Sequence, residues 1–374
     1  MAALLAFALL AAPLRGLARR YGWVDKPDHR KVHRAPVPLT GGIGVVLASA
    51  GSLLAFGQWS TAIMGLVVGA LMIFAVAFAD DRFPIRARYR FAAQAAGVAV
   101  AMLCGPTWLP SLGELLWRGE FALGWLGVPF TLIAMTGVIN SVNMTDGADG
   151  LAGGLALGAL VWFGVVFGFV AQAAPETDAA RVLPIIAALI GALIGFLAFN
   201  LRTPWRARAA IFMGDGGSMM LGFVLAWMAV RAAGSYGDAG MPPVVAIWIL
   251  AVPLVDTISC MLRRVQDGVT PMSPDHRHVH HLVQSCGLSV RAGVFLLHGV
   301  ALACGAVGVI GWHAGGPDYV LFWAWLAMIV AYHLFALRHW HDKPNLMAPL
   351  HLQASKRQRR AARRAQKRAA TRGA

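Results

Sequence analysis

The sequence predicts an all-α, polytopic integral membrane protein of about eleven transmembrane helices, with its amino terminus outside and its carboxyl terminus in the cytoplasm. Three observations lead there. Hydrophobic residues fill 58% of the 374 positions and charged residues only 13%, against about 25% charged in ordinary soluble domains. Apolar stretches near the roughly 20 residues that a spanning helix needs recur from end to end, separated by short polar loops. Finally, 26 of the 32 Lys and Arg residues fall on alternate loops, the pattern of chains whose basic loops stay in the cytoplasm.

A first span is expected at 2–18; its apolar stretch opens at Ala2 and is followed by Arg15, Arg19 and Arg20 instead of being preceded by them, the reverse of a cleaved signal peptide. Further spans are expected at 39–57, 61–79, 91–106, 124–140, 152–171, 183–200, 214–231, 243–262, 292–312 and 319–337. An odd count puts the termini on opposite sides. The basic residues concentrate in loops 19–38, 80–90, 201–212 and 263–290 and in the tail, whereas the opposite loops hold only Arg118, Arg181 and Arg231. This gives one multi-span domain, 1–340, and a basic cytoplasmic tail, 341–374, disordered or lying on the lipid surface. The tail run KRQRRAARRAQKR, Lys356 to Arg368, carries a large part of the net charge of +15. Anionic lipid attracts such a cluster by about 1 kcal/mol per basic residue, so nucleic acid is not needed as a partner. Cys104, Cys260, Cys286 and Cys304 have no CxxC spacing, which argues against a disulfide framework or a zinc ribbon.

The acids carry more information. Of 17 Asp and Glu residues, ten gather at the cytoplasmic ends of spans: Asp25, Asp28, Asp80, Asp81, Asp146, Asp149, Asp215, Asp256, Asp267 and Asp275. A carboxylate near hydrocarbon is costly, so repeated placement there is tied to ions, protons or substrate. Ionised carboxylates only accept hydrogen bonds, and the same loops supply Arg, Lys and His. Metal and phosphate chemistry together satisfy both signs.

Five cytoplasmic motifs hold these residues. DKPDHRKVHRAPVPLTGG, from Asp25, sets Lys31 and His33 beside a Pro-Gly-rich turn suited to phosphate, although retention of basic loops in the cytoplasm would also explain them. AFADDRFPIRARYRFAAQ places Asp80 next to Asp81, a pair that could bind a metal or share a proton as a general base, with Arg90 and Gln94 on the next helix. In NSVNMTDGADGLAGG, Asn140, Asn143, Asp146 and Asp149 recur every three residues, a spacing that shares one face of a helical turn. FMGDGGSMMLGF surrounds Asp215 with glycines at a helix start, which suits a metal ligand and leaves helix amides for phosphate oxygens. PDHRHVHHL, from Pro274, gathers Arg277, His278, His280 and His281; a sugar-phosphate loop, a solvated basic loop and a zinc site compete there, the last without HExxH or Cys-His spacing.

In this order the five motifs resemble the polyprenyl-phosphate N-acetylhexosamine-1-phosphate transferase family (glycosyltransferase family 4), over about residues 20–285. The PDHRHVHHL ending is similar to the bacterial branch that uses UDP-N-acetylglucosamine or a related hexosamine. The resemblance implies a Mg2+- or Mn2+-dependent transfer of sugar 1-phosphate from the UDP-sugar to undecaprenyl phosphate in the bacterial inner membrane, with release of UMP, at a site facing the cytoplasm. This would be the opening membrane step of envelope-polysaccharide synthesis. It implies Asp80 and Asp81 as the catalytic acids, Asp215 and Asn143 as metal ligands, and Asp146 and Asp149 at the nucleotide. Arg90, Arg277, His278, His280, His281, Lys31 and His33 would hold phosphate or sugar-phosphate. A homodimer is compatible with this reading. Two positions depart from the family pattern: Arg90 stands where Lys is usual, and His276 precedes Arg277 where Arg is expected first.

Three other functions are distinguishable. A transporter would carry its polar residues mid-span instead of at loop boundaries. CDP-alcohol phosphotransfer needs a DGxxAR element, which DGADGL and DGVTPM do not supply. A non-catalytic scaffold would be expected to have lost acids at Asp80, Asp81 or Asp215.

Overall fold

The computed structural model describes residues 1–25, 36–105, 107–117, 119–272 and 277–341. The expected phosphate contacts Lys31 and His33, and the basic tail beyond its first residue, lie outside the described residues. The chain opens with α1 (Ala2–Tyr21), which stops at Gly22 in the left-handed conformation, φ 70°. A two-residue antiparallel ladder follows, β1 (Val24–Asp25) on β2 (Val37–Pro38), with Val24 opposite Pro38. Strands this short leave no alternating pattern, so the sequence gives no sign of them.

Then come α2 (Gly41–Phe56), α3 (Thr61–Asp80), α4 (Ala87–Cys104), α5 (Gly127–Thr145), α6 (Leu151–Ala173), α7 (Ala179–Asn200) and α8 (Gly214–Gly234). The chain finishes with α9 (Pro243–Ile249), α10 (Ala251–Gln266), α11 (Val279–Ser285), α12 (Val290–His313) and α13 (Asp318–His341). Every stretch expected to span is helical. Among the described residues, eight helices are long and apolar enough to cross a membrane, and nine if α9 and α10 count as one span bent by 56°. The chain is therefore a multi-pass membrane protein. Of the other three helices, α11 has 7 residues, α2 has 16 and α4 begins among Arg86, Arg88 and Arg90.

Helix α8 is the axis of the bundle. Buried on 94% of its apolar window, it packs against α2, α3, α5, α6 and α9. Its even hydrophobicity fits such a position, because a helix surrounded by others needs no polar face. Glycines allow the closest approaches: a Cβ on Gly42 of α2 would lie 2.7 Å from the Gly217 Cα of α8.

The two ends of the bundle differ. At one, Ser60, Asp178, Arg231 and Tyr236 form a polar knot, with Arg231 Nη2 2.7 Å from Asp178 Oδ1. Burial opposes ionisation of Asp178, but hydrogen bonding and charge from Arg231 hold its carboxyl below the usual range. At the other end, the last turns of α3, α5 and α7 meet the first turns of α4, α6 and α8, and the motif residues converge there.

Candidate active site

Asp80 and Asp81 close α3, and although adjacent they point into different surroundings. Asp80, with its side chain 10% exposed, accepts the Ile85 amide at 2.5 Å and the Arg90 guanidinium at 2.7 Å. The same Arg90 nitrogen lies 3.7 Å from Asp215 Oδ2, so one cation on α4 serves two acids. Asp81 accepts the backbone amides of Asp215 at 3.0 Å and Gly216 at 3.3 Å. This corrects the expectation that the α8 amides are left for phosphate oxygens: a carboxylate from α3 takes the first of them, as expected of an anion at a helix N-terminus. Gly214 makes the contact possible. It has φ 77°, and a Cβ there would lie 2.7 Å from Asp81 Oδ2.

Asp215 sits in the first turn of α8 and not at its cap. Asn143 on α5 donates to Asp215 Oδ1 at 3.1 Å and to Ser218 Oγ at 2.9 Å. One turn earlier, Asn140 donates to the buried Gln94 of α4 at 2.8 Å. The common face expected for four residues of the motif holds for Asn140 and Asn143. It ends because α5 stops at Thr145 and Gly150 turns with φ 86°. Beyond the break, Asp149 accepts Arg202 Nε at 2.7 Å and the Ala209 amide at 3.1 Å, clasping both legs of the hairpin between α7 and α8. Asn200 adds a second brace by accepting the Gly150 amide at 2.7 Å and donating to the Ile211 carbonyl. Sequence reading did not single out Asn200 or Arg202. They stand together in NLRTP just after a span, where polar residues look like an ordinary helix end.

The end of the first loop arrives through backbone hydrogen bonds: Phe212 donates to the Pro38 carbonyl, and Gly41 and Gly42 donate to those of Phe212 and Met213. The histidine motif arrives through α11. His280 lies against the turn after α5, where a Cβ on Gly147 would be 2.4 Å from its ring, and His281 lies 4.1 Å from His280 between ring centroids. His278 is buried, with Nδ1 2.8 Å from Asp256 Oδ2 and 3.5 Å from Cys260 Sγ. Burial works against its charge, but the hydrogen bonds to Asp256 and Cys260 prevail and lift its pKa to about 10. Asp256, Cys260 and His278 have ligand atoms within 4.8 Å of one another. The Arg263 guanidinium, 3.0 Å from the sulfur, supplies a cation to that group. Arg277 pairs with Asp267 at 2.6 Å.

Among the described residues, the acids near the α8 start outnumber their cations. Burial raises the Asp81 pKa to about 6, with the charge of Asp215 adding to it. Asp146 reaches solvent, yet crowding by surrounding protein, followed by Asp215, Asp81 and Asp149, lifts it to about 7. Arg90 neutralises Asp80, and no other described Lys or Arg is paired with Asp81, Asp146 or Asp215. Oxygen ligands in this state suit a hard divalent cation, with Asn143 as a neutral neighbour.

Known proteins resemble this chain along most of its length. The model of glycosyl transferase family 4 matches residues 63–233, which hold Asp80 through Asp215. The undecaprenyl-phosphate alpha-N-acetylglucosaminyl 1-phosphate transferase of Escherichia coli K12 is 34% identical over 338 residues, 87% of each chain. Proteins of the same name from Yersinia pestis, 35% identical over 330 residues and 87% of each chain, and Haemophilus influenzae, 31% identical over 87% of this chain and 91% of the relative, are similar along most of their length.

Proposed function

The chain belongs to glycosyl transferase family 4, and on that premise we propose that it transfers N-acetylglucosamine 1-phosphate from UDP-N-acetylglucosamine to undecaprenyl phosphate. A lipid phosphate oxygen bonds to the β-phosphorus, the bond from that phosphorus to the α–β bridging oxygen breaks, and UMP leaves with that oxygen. The product is undecaprenyl-diphosphate N-acetylglucosamine. The observation that carries the reading is the meeting of Asp80, Asp81, Arg90, Asn143, Asp146, Asp149, Asp215 and His280 at one end of the bundle.

Phosphoryl transfer mostly needs positioning and neutralised charge. Asp215, Asn143 and the unneutralised Asp146 would hold a magnesium or manganese ion, which when bound neutralises diphosphate oxygens. Asp80, paired with Arg90, orients that arginine towards incoming phosphate. Asp81, whose proton affinity burial raises, takes the proton of the lipid phosphate. Asp149 fixes the turn beside which the nucleotide lies, while His280, His281 and Arg277 border the sugar-phosphate end.

The chain would cross the inner membrane eleven times, and the basic loops around the acid-rich end, among them Arg86, Arg88, Arg202 and Arg208, favour the cytoplasmic side for it. The experiment is UMP release in sealed inside-out vesicles given undecaprenyl phosphate, magnesium and, separately, UDP-N-acetylglucosamine or UDP-N-acetylgalactosamine. Release with the first donor, abolished by EDTA and needing no detergent, is expected. Release only after permeabilisation would overturn the orientation, release resistant to EDTA the metal, and release with the galactose isomer alone the sugar.

A further inference from the structure

Asp256 belongs to α10, two turns after the bend that separates it from α9, and it is 1% exposed. A buried carboxylate in a membrane bundle is costly unless its oxygens are filled, and these are. Oδ1 accepts the Val279 amide at 2.7 Å and the Tyr332 hydroxyl at 2.9 Å, and Oδ2 faces His278 Nδ1 at 2.8 Å. Val279 is the first residue of α11 and His278 its cap, so the carboxylate fixes the start of the helix that carries His280 and His281.

The last helix completes the frame. Only 22% of the apolar window of α13 is buried, yet polar side chains of its second half reach α10 and α11. Besides Tyr332 on Asp256, His333 Nδ1 lies 3.1 Å from Ser259 Oγ and His339 Nε2 lies 2.6 Å from Ser285 Oγ. Below them, Ala336 and Trp340 pack on Leu282 of α11. The face Tyr332, Ala336, His339, Trp340 therefore holds α11 from behind, while its front sets the His280 ring against Gly147.

We infer that Asp256 and Tyr332 are positioning residues, which aim the histidines of α11 at the sugar-phosphate end of the UDP donor without touching it. The inference rests on the transferase reading and adds to it a route by which α13 governs donor affinity. The lipid phosphate, held at Asp81 and Arg90, lies outside this route.

The test uses the purified full chain with Asp256→Asn and Tyr332→Phe, read by UMP release and by hydrogen exchange. Misplacing a contact group by a fraction of an ångström is costly. The expected result is a KM for UDP-N-acetylglucosamine raised about tenfold by Asp256→Asn and a few fold by Tyr332→Phe. The KM for undecaprenyl phosphate stays unchanged, and exchange at residues 279–285 becomes faster. If Asp256→Asn does not fold, Tyr332→Phe decides, since it removes one hydrogen bond and no charge. Unchanged donor KM in a folded variant, or an equal rise in both KM values, overturns the inference. If the wild type transfers no sugar phosphate while exchange still quickens in the variants, the transferase reading fails and the positioning of α11 stands.

Discussion

Asp81 and Asp146 take up protons more readily in the folded chain than in the unfolded one. Their folded values near 6 and 7 lie above the ordinary 3.8, so their contribution to stability is present below about pH 4 and is lost as pH rises through 6 to 7. Metal-free protein should therefore melt at a higher temperature at pH 5 than at pH 8. His278 works in the same direction above its ordinary value of 6.5, so Asp146→Asn is the control: it should flatten the acid part of the curve. Magnesium should reverse the preference, raising the midpoint more at pH 8 than at pH 5, because cation and proton compete for the same oxygens. A midpoint independent of pH and of magnesium would remove the charge shortage on which the metal reading stands. At this scale much was legible. Asp80, Asp81, Asn143 and Asp215 announce themselves because few other acids or amides interrupt the apolar runs. Their partners were not legible: nothing in AFADDR says that Asp80 turns to Arg90 while Asp81 turns to amides of a helix 134 residues later.

Among the elements, α2 and α8 meet where each offers only glycine. Gly42→Ala and Gly217→Ala would each drive a methyl group into backbone at 2.7 Å, and neither contact can yield by a rotamer change. Overpacking of this kind costs about 1–3 kcal/mol. Each variant should melt several degrees lower in detergent and lose transferase activity, because the Gly41 and Gly42 amides also tether the first loop to Phe212 and Met213. Equal melting temperatures for Gly217→Ala and wild type would show that the helices can part freely. Hydropathy located these helices well, since burial in lipid or protein writes the same apolar signal. For that reason it did not distinguish the central α8 from peripheral α13, nor mark the break at Leu250 between α9 and α10. That break occurs inside one apolar run, and Pro253 lies three residues beyond it.

Across the whole molecule, the chemistry is gathered at one end and a separate polar knot fastens the other. Arg231→Ala would leave Asp178 among Ser60 and Tyr236 without its cation. Breaking a fully buried pair costs about 3–5 kcal/mol, and the partial exposure of Asp178 reduces that here to about 2 kcal/mol. The thermal midpoint should fall, while kcat and both KM values of the folded fraction stay those of wild type; a selective change in either KM would show that the two ends are coupled. The positive-inside pattern gave the segregation of charge at this scale. The knot escaped notice because its four members are scattered from Ser60 to Tyr236 and form no motif.

The hold of Asp81 on the first amides of α8 also bears on how the chain is made. The ribosome delivers Asp81 long before it delivers Asp215 and Gly216, and α3 must settle in the bilayer with that carboxylate still lacking the amides it will bind. The neighbouring Asp80 does not wait, since Arg90 follows within the same helical hairpin. The nascent chain thus inserts with one acid of the pair already neutralised and the other facing headgroups and water, and the reactive centre closes only when α8 slides into the middle of the helices made before it.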